Sequence, residues 1–356
     1  MRIRAFLIIS SAAVALCTGA GGQPAAPSEI DAHIAAAKAA AGLEFRGTFM
    51  NLCLPGGGPG GGRAGAPGGR GAAAPGAARG ANPALTGLLA PRPAPDRATW
   101  YASPYKVFDN LYWLGTRQHS SWALKTSAGI IIIDTNFAWA TQPEILDGMK
   151  KLKLDPKQIK YVILSHAHGD HDQGVATLQS KYGAKVIMGG PDWEDTLKRP
   201  AEAAGGVPKR GPGDISVGPE GYKLTLGDTT VNIIFTPGHT VGTLSYVFPV
   251  KDKGKTVMVA YSGGTLTGAF GSNAARWDEY IDSQKRIAQA AKDAGASVIL
   301  SNHSEYDNAY TRARLVAVKR EAGEENPFIV GADGVQKYFT VMEECATASK
   351  LRNNAK

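Results

Sequence analysis

The feature that most constrains this chain is a run of metal-binding side chains between residues 166 and 171, with the pattern His-x-His-x-Asp-His. Neutral imidazole and carboxylate groups are the ligands that a borderline-soft divalent metal prefers, and four of them fall here within six residues. His166 and His168 point the same way from an extended backbone, and Gly169 allows a sharp turn that brings Asp170 and His171 to a second position. Ordinary core or surface histidines would not account for this density. The run therefore predicts a metal centre.

Two further histidines follow predicted strands and complete the set of candidate ligands. His239 lies in a Thr-Pro-Gly-His-Thr segment, and His303 follows a Ser-Asn pair. Six candidates are too many for one tetrahedral site but suit two adjacent sites with three protein ligands each. Each site then stays open to water or substrate, which is typical of catalytic zinc, whereas structural zinc is closed by four ligands. His33 and His119 fall outside these segments, and we interpret them as ordinary side chains, although His119 could line the cleft.

Strand and helix patterns alternate over the region that carries these histidines. The run from Ile130 to Ile133 is continuous and β-branched, as in a strand buried on both faces, and the segment 222–235 indicates a hairpin around Gly227 and Asp228. We therefore predict a layered α/β fold with mixed sheets. The predicted strands are 107–108, 111–114, 121–124, 130–133, 161–164, 185–188, 222–226, 230–235, 243–248, 257–261 and 297–300. The predicted helices are 28–43, with Ser28 as its cap, 145–152, with Pro143 near its first turn, 175–182 and 277–291.

Two stretches stand apart from this core. Residues 1–20 have Arg2 and Arg4 before a short apolar run and small residues after it, which is the pattern of a secretory signal peptide. Residues 55–98 are rich in Gly, Pro, Ala and Arg, and we predict a disordered linker because the segment has too little apolar surface to bury. Between them, 21–54 is a predicted helical segment, and 99–350 is predicted to be one catalytic domain. We expect a periplasmic or secreted protein with no transmembrane helix once the signal is removed.

Charge and cysteine content bear on the partners. The net charge is +8 at pH 7, but most of it comes from the arginines of the signal and the linker, so we expect no nucleic acid partner. We expect a monomer that acts on a small molecule. After signal removal only Cys53 and Cys345 remain, and an even number in an oxidising compartment favours a disulfide between them. The alternative is two buried, unpaired thiols.

With these motifs the sequence resembles the metallo-β-lactamase superfamily and, within it, the third subclass of class B β-lactamases. The resemblance extends from about Val107 to Cys345, and it rests on the segments 108–116, 128–135, 166–171, 236–243, 302–303 and 326–328. It implies a four-layer αββα sandwich with two zinc ions (Zn2+) per chain in a cleft at one edge of the sheets. Carried over residue by residue, the first zinc would be held by His166, His168 and His239, and the second by Asp170, His171 and His303.

The resemblance also implies an activity. The protein would be an exported di-zinc hydrolase, a β-lactamase acting in antibiotic resistance, in which zinc-bound hydroxide opens the lactam ring. Asp170 would also be catalytic, by orienting the hydroxide or moving its proton. Asp134 would either hydrogen-bond the metal loop or cap a turn. Substrate contacts are expected from Trp122, Ser262, Thr265, Asn302 and Tyr306.

One feature favours this subclass over its relatives, and two departures from the subclass pattern leave the substrate open. Glyoxalase-type and lactonase-type relatives place a metal-bridging aspartate after the strand that ends here at Tyr261, but this chain has no carboxylate in 262–265, which argues against them. The segment 262–267 does not match the serine-containing segment of the third subclass, and 172–174 is not its usual small-residue run. The alternatives are a hydrolase of this fold acting on another ester, lactone or phosphodiester, and a non-catalytic exported protein with a structural or sensory metal site.

Overall fold

Two β-sheets packed face to face between outer helices form the scaffold. The computed structural model describes residues 28–54, 93–200, 203, 205–265 and 270–354. The predicted signal peptide, 1–20, and most of the predicted linker, 55–98, lie outside the described residues. Among the helices of the described residues, none combines the length and apolar character that a membrane crossing requires.

The first sheet contains seven strands that lie side by side in chain order. They are β1 (Tyr105–Lys106), β2 (Leu111–Trp113), β3 (Trp122–Thr126), β4 (Gly129–Ile133), β5 (Ile159–Ile163), β6 (Lys185–Gly189) and β7 (Ile215–Val217). Strands β1 to β4 pair antiparallel, and β4 to β7 pair parallel. The four isoleucines of β4 are all 0% exposed, which confirms a strand buried on both faces.

The second sheet contains five strands: β8 (Tyr222–Leu226), β9 (Thr229–Phe235), β10 (Leu244–Asp252), β11 (Lys255–Ser262) and β12 (Val298–Ser301). Their spatial order is β12-β11-β10-β9-β8, and only β11 and β12 pair parallel. The predicted hairpin between β8 and β9 is confirmed. Its turn residue Gly227 has a φ of +59°, a left-handed conformation that glycine adopts without steric cost.

Helices cover the outer face of each sheet. The α-helices of the described residues are α1 (Glu29–Ala41), α2 (Arg46–Cys53), α3 (Arg97–Trp100), α4 (Ala138–Ala140), α5 (Asp147–Lys151), α6 (Gly169–Asp172), α7 (Val175–Tyr182), α8 (Gly190–Leu197), α9 (Ala274–Asp293), α10 (Ser304–Asp307), α11 (Ala309–Val316) and α12 (Gly331–Asn354). Helix α1 begins after Ser28, whose hydroxyl accepts the N–H of Asp31, as predicted for its cap.

Three buried apolar clusters correspond to the three interfaces between layers. One lies between the sheets and includes Ile131, Ile163 and Phe248. The second lies between the first sheet and helices such as α7 and α8. The third joins the second sheet to α9, α12 and the N-terminal helices. The predicted four-layer αββα sandwich with mixed sheets is confirmed.

The N-terminal helices are fastened to the C-terminal helix. Helices α1 and α2 both pack on α12, and Cys53 and Cys345, separated by 292 positions, form a disulfide. Both cysteines are buried, at 0% and 1% exposure. The predicted disulfide between Cys53 and Cys345 is confirmed, and it joins the N-terminal segment to the last helix.

Two local predictions were wrong. The first strand lies at Tyr105–Lys106 rather than at 107–108, because the N–H groups of Val107 and Phe108 both donate to Leu111 O across a turn. Pro143 is not near a helix start: the helix begins at Ala138 and passes through a π-helical segment, Thr141–Leu146, before α5. Proline has no N–H to donate, and the wider turn accommodates it. Strand β7 and helices α3, α6, α8, α10 and α11 were not predicted, and α3 begins at Arg97, within the predicted linker.

Candidate metal centre

The candidate ligands converge because each follows the end of a strand at the same edge of the sandwich. His166 and His168 follow β5, with Asp170 and His171 in the short helix α6. His239 follows β9 and His303 follows β12. The structure brings all six predicted residues together, in two adjacent groups.

The first group contains His166, His168 and His239. His239 Nε2 lies 3.1 Å from His166 Nε2 and 3.2 Å from His168 Nδ1. His166 Nδ1 lies 3.0 Å from Gly263 O, so its N–H can donate to that carbonyl and leave Nε2 as the inward lone pair. Burial, followed by the neighbouring His239, lowers the pKa of His166 well below its usual value, so this ring is neutral, as a metal ligand must be.

The second group is centred on one carboxylate oxygen. Asp170 Oδ2 lies 3.3 Å from both His171 Nε2 and His303 Nε2, and these two nitrogens lie 3.1 Å apart. Burial favours a neutral Asp170, but His171 and its other histidine neighbours outweigh it and hold the pKa of Asp170 well below its usual value. The site therefore presents a carboxylate between two imidazoles.

The donor spacings fit metal ions. Two nitrogens bound to one tetrahedral zinc with Zn–N bonds of about 2.0–2.1 Å lie roughly 3.3 Å apart. In the first group His239 Nε2 lies 3.1–3.2 Å from the inward nitrogens of the other two rings, and the three inward atoms of the second group are 3.1–3.3 Å apart. Imidazole and carboxylate donors without a cysteine suit zinc. The chemistry and the spacing of both groups thus fit divalent ions.

Asp134 supports both the metal loop and a ligand. Its carboxylate accepts hydrogen bonds from Ser165 N at 2.7 Å, Ser165 Oγ at 2.8 Å and Tyr261 OH at 2.8 Å. Its Oδ2 also lies 3.2 Å from His171 Nδ1, which orients the ring so that Nε2 faces Asp170. Burial opposes a charge on His171, but the carboxylates of Asp170 and Asp134 outweigh it and raise the pKa to about 10, so a metal bound at Nε2 would have to displace a proton from this ring. Of the two roles considered for Asp134, hydrogen bonding to the metal loop is the one observed.

Sequence reasoning missed His119 as a member of the second group. Its Nε2 lies 3.4 Å from Asp170 Oδ2, and the donor atoms of His119, Asp170 and His303 all lie within 4.8 Å of one another. Burial, followed by the nearby His303, lowers the pKa of His119 to about 3, so this ring is also neutral. A lone histidine in a loop carries no spacing pattern that would have identified it.

The five predicted substrate contacts are largely enclosed. Trp122 is 0% exposed within the core between the sheets, against Phe328, and has no surface to offer a ligand. Tyr306 and Ser262 are 2% and 1% exposed. Thr265, at 6%, donates its hydroxyl to Asn302 Oδ1 at 3.0 Å, and Asn302 is itself 0% exposed. All five side chains are therefore buried rather than facing solvent.

The segment after β11 passes very close to the first group. A Cβ atom at Gly263 would lie 1.6 Å from Leu244 O, and one at Gly264 would lie 2.7 Å from His239 Cβ. Gly263 O accepts from Asn302 Nδ2 at 3.0 Å as well as facing His166. Backbone therefore occupies the space beside these histidines where other chains could place a side chain.

Comparison with known proteins agrees with this architecture. Residues 114–251 match the family model of the metallo-β-lactamase superfamily. The chain is similar to the hydroxyacylglutathione hydrolase of Rhodopseudomonas palustris strain BisA53, with 27% identity over 203 residues, or 54% of this chain and 72% of that protein. A hydroxyacylglutathione hydrolase of Brucella anthropi is 33% identical over 124 residues, or 34% of this chain and 42% of that protein.

Solved structures share the fold over a longer region. The subclass B3 metallo-β-lactamase BJP-1 of Bradyrhizobium japonicum matches with a TM-score of 0.59 and 24% identity, covering 76% of this chain and 98% of that chain. A mutant of the HARLDQ-motif metallo-β-lactamase of Cronobacter sakazakii matches with a TM-score of 0.55 and 27% identity, covering 71% and 97%.

The matched region of the family model contains the Asp134 support, the whole run 166–171 and His239, and the solved structures extend the likeness to the complete sandwich. Fold, donor pattern and comparison therefore agree: residues 114–251 match the metallo-β-lactamase superfamily, and the described chain has the fold of solved metallo-β-lactamases.

Proposed function

We propose that this hydrolase is an exported β-lactamase that uses two zinc ions. The glycine pair after β11, Gly263 and Gly264, is the main observation that favours a lactam over the substrate of a glyoxalase-type enzyme. The glyoxalase-type relatives named above rely on a metal-bridging aspartate in that segment, and here Gly263 and Gly264 leave no room for one without moving Leu244 or His239. A chain without that bridging group fits the third subclass of β-lactamases better than a glyoxalase-type enzyme.

The proposed assignment of ligands follows the two groups. His166, His168 and His239 would hold the first zinc, and Asp170, His171 and His303 the second. When bound, the ions would lower the pKa of a water towards neutrality and polarise the lactam carbonyl. Asp170 would bind through Oδ2 and would accept a proton at Oδ1. Asp134 would keep His171 facing inward, because its Oδ2 lies 3.2 Å from His171 Nδ1.

A second candidate is hydrolysis of a thioester such as a hydroxyacylglutathione. The sequence relatives carry that name at 27–33% identity, with up to 72% of their own length covered among the two described. Hydrolysis of another ester, lactone or phosphodiester belongs to the same class. These reactions need the same metal centre, so the substrate and not the metal distinguishes them.

The decisive experiment is turnover by the purified chain of a penicillin, a cephalosporin, a carbapenem and S-lactoylglutathione, each with and without a chelator. We expect lactam turnover that the chelator removes and added zinc restores, with two zinc ions per chain by elemental analysis. His168→Ala should lose activity and zinc. The matched control His33→Ala changes a histidine on α1 whose partner is Glu344, far from the centre, and should retain both.

Two results would contradict the proposal. Thioester turnover without lactam turnover would favour the second candidate. Retention of two zinc ions by His168→Ala would remove that residue from the ligand set.

Export and a monomeric state are proposed on the sequence alone. The apolar run in 1–20 and the cysteine pair support transfer to an oxidising compartment. Mass spectrometry of the protein from the periplasmic fraction should show a chain shortened by about 20 residues at its N-terminus, and light scattering should give the mass of one chain. An intact N-terminus in the cytoplasmic fraction would contradict export.

A further inference from the structure

His119 is held in place by the loop that carries the predicted ligand His303. The two residues form a backbone bridge between their loops. On either side of it, Ser120 N donates to Asn302 O at 2.9 Å, and Ser304 N donates to Gln118 O at 2.7 Å. The His119 ring also contacts Phe137, with centroids 5.0 Å apart. The position of His119 is therefore fixed by the backbone of the loop that carries His303.

The orientation of His119 matches that of the proposed ligands. In His166 and His171, Nδ1 lies next to an oxygen of a neighbouring residue, and Nε2 faces the candidate metal centre. His119 Nδ1 lies 3.3 Å from Thr116 Oγ1, and its Nε2 faces Asp170 Oδ2 at 3.4 Å. That oxygen is the one that lies 3.3 Å from both His171 Nε2 and His303 Nε2. Three imidazole nitrogens thus surround one carboxylate oxygen at nearly equal distances.

From this geometry we infer that His119 is a fourth protein ligand of the second metal position, beside Asp170, His171 and His303. The inference rests on the proposed function, because it assumes that a metal occupies this group. The family pattern assigns only the other three residues to this position. With four donors, the second position would be closed in tetrahedral geometry, whereas the first would keep an open place. The two positions should therefore differ in affinity.

Cobalt(II) provides a test that does not depend on activity. The full chain is stripped of metal with a chelator, its fold is checked by circular dichroism, and it is titrated with cobalt(II). We compare the wild type with His119→Ala and with Phe137→Leu, a matched control that alters the ring contact of His119 without removing a donor. A third variant, His119→Gln, preserves polar bulk in case the alanine variant does not fold.

We expect His119→Ala to weaken binding of one cobalt ion by more than about 100-fold, since loss of an indirect partner of a ligand costs about 10–100-fold. Its cobalt d–d absorption should change, and one shifted imidazole N–H resonance should disappear from the paramagnetic NMR spectrum. Phe137→Leu should match the wild type in cobalt affinity, in d–d absorption and in the number of shifted resonances. An unchanged cobalt spectrum and an unchanged number of shifted resonances in both His119 variants would overturn the inference, whatever the affinity.

The outcome is separable from that of the proposed function. If the wild type binds two cobalt ions and His119→Ala loses a shifted resonance, His119 is a ligand even when no lactam is hydrolysed. If lactams are hydrolysed but the spectra of the His119 variants equal that of the wild type, the proposed function stands and the assignment of His119 fails.

Discussion

Asp192 Oδ2 accepts a hydrogen bond of 2.8 Å from Thr240 Oγ1, which connects helix α8 to the loop of His239. The same oxygen accepts the N–H of Ala167 at 2.8 Å, and Oδ1 accepts the N–H of Gly242 at 3.0 Å. Burial raises the pKa of Asp192, and these three donors oppose that rise. One buried carboxylate therefore joins the two loops that carry the first group of histidines.

We predict that Asp192→Asn weakens zinc binding without touching a ligand. Both carboxylate oxygens of Asp192 accept hydrogen bonds, and the NH2 group of asparagine would replace one of these acceptors with a donor. A buried donor without an acceptor costs about 1–3 kcal/mol. Because the two loops would no longer be held together, zinc affinity should fall by about 10–100-fold. Urea unfolding of the zinc-free protein and competition with a chromophoric chelator measure the two effects.

Asp195→Asn is the matched control for this change. Asp195 lies on the same helix, and its side chain is 69% exposed, so its loss should alter neither stability nor zinc affinity. If Asp192→Asn binds zinc as tightly as the control, Asp192 does not position the first group.

Much of the fold could be predicted because its signals are local. The isoleucines of β4 and the glycine turn between β8 and β9 each form a pattern over a short stretch of sequence, and the structure confirms both. Strand β7 was missed because it has three residues and follows a glycine-rich stretch with no periodicity. Pro143 was misplaced because a π-helical turn, which no propensity rule indicates, lets the proline lie inside the helix.

The candidate metal centre likewise contains residues that the sequence predicts and one, His119, that it does not. The grouping of His166 with His168 and of Asp170 with His171 follows from their spacing, and strand ends at one edge of the sandwich bring in His239 and His303. His119 could not be predicted, because its approach to Asp170 depends on the backbone bridge between His119 and His303. That contact joins two loops of distant sequence, and no local pattern in either loop encodes it.

The disulfide should contribute measurably to stability. Cys53 and Cys345 are separated by 292 positions, and cross-links that close long loops restrict the unfolded chain most. We predict that Cys53→Ala with Cys345→Ala lowers the free energy of unfolding by about 2–5 kcal/mol. Urea unfolding with and without a reductant measures this change in the free energy of unfolding. The reductant should destabilise the wild type and leave the double variant unchanged, and equal stability of the oxidised and reduced wild type would contradict the prediction.

Glu144 should make stability depend on pH. Its side chain is 1% exposed, and Oε1 accepts the N–H of Ala102 at 3.1 Å. Burial raises its pKa from 4.5 to about 8, despite that hydrogen bond. Between about pH 4.5 and pH 8, Glu144 is therefore protonated in the folded protein but ionised in the unfolded chain. The stabilisation is complete below about pH 4.5 and is lost as the pH rises through about 8.

Glu144→Gln tests this prediction, because it keeps an oxygen acceptor for Ala102 and cannot ionise. Between pH 5 and pH 9 the wild type should lose a few kcal/mol more stability than the variant, at about 1.4 kcal/mol for each unit of pKa change. Urea unfolding at several pH values, with chelator present, measures the difference. Glu194→Gln, which changes a glutamate with a 59% exposed side chain, is the control and should follow the wild type. Parallel pH profiles of the wild type and Glu144→Gln would refute the assignment.

Arg199 explains how the chain accommodates an aspartate at position 172, where the family usually has a small residue. Arg199 Nη1 lies 2.6 Å from Asp172 Oδ2, with the side chains 10% and 1% exposed, and Arg199 Nη2 donates to Ala167 O at 2.7 Å. Burial raises the pKa of Asp172 to about 6, and Arg199 opposes the rise. The guanidinium thus pairs a buried carboxylate and fastens the metal loop with one side chain.

We predict that Arg199→Met costs about 3–5 kcal/mol of unfolding free energy, because it leaves a buried charge without its partner. Adding Asp172→Ala removes that charge and should recover most of the loss, since replacing both members of a buried pair is far less costly than removing one. Urea unfolding of the two single variants and the double variant gives the coupling energy. Lys198→Met, a neighbouring lysine with a 72% exposed side chain, is the control. If the double variant is no more stable than Arg199→Met, the cost comes from the lost bond to Ala167 rather than from the unpaired carboxylate.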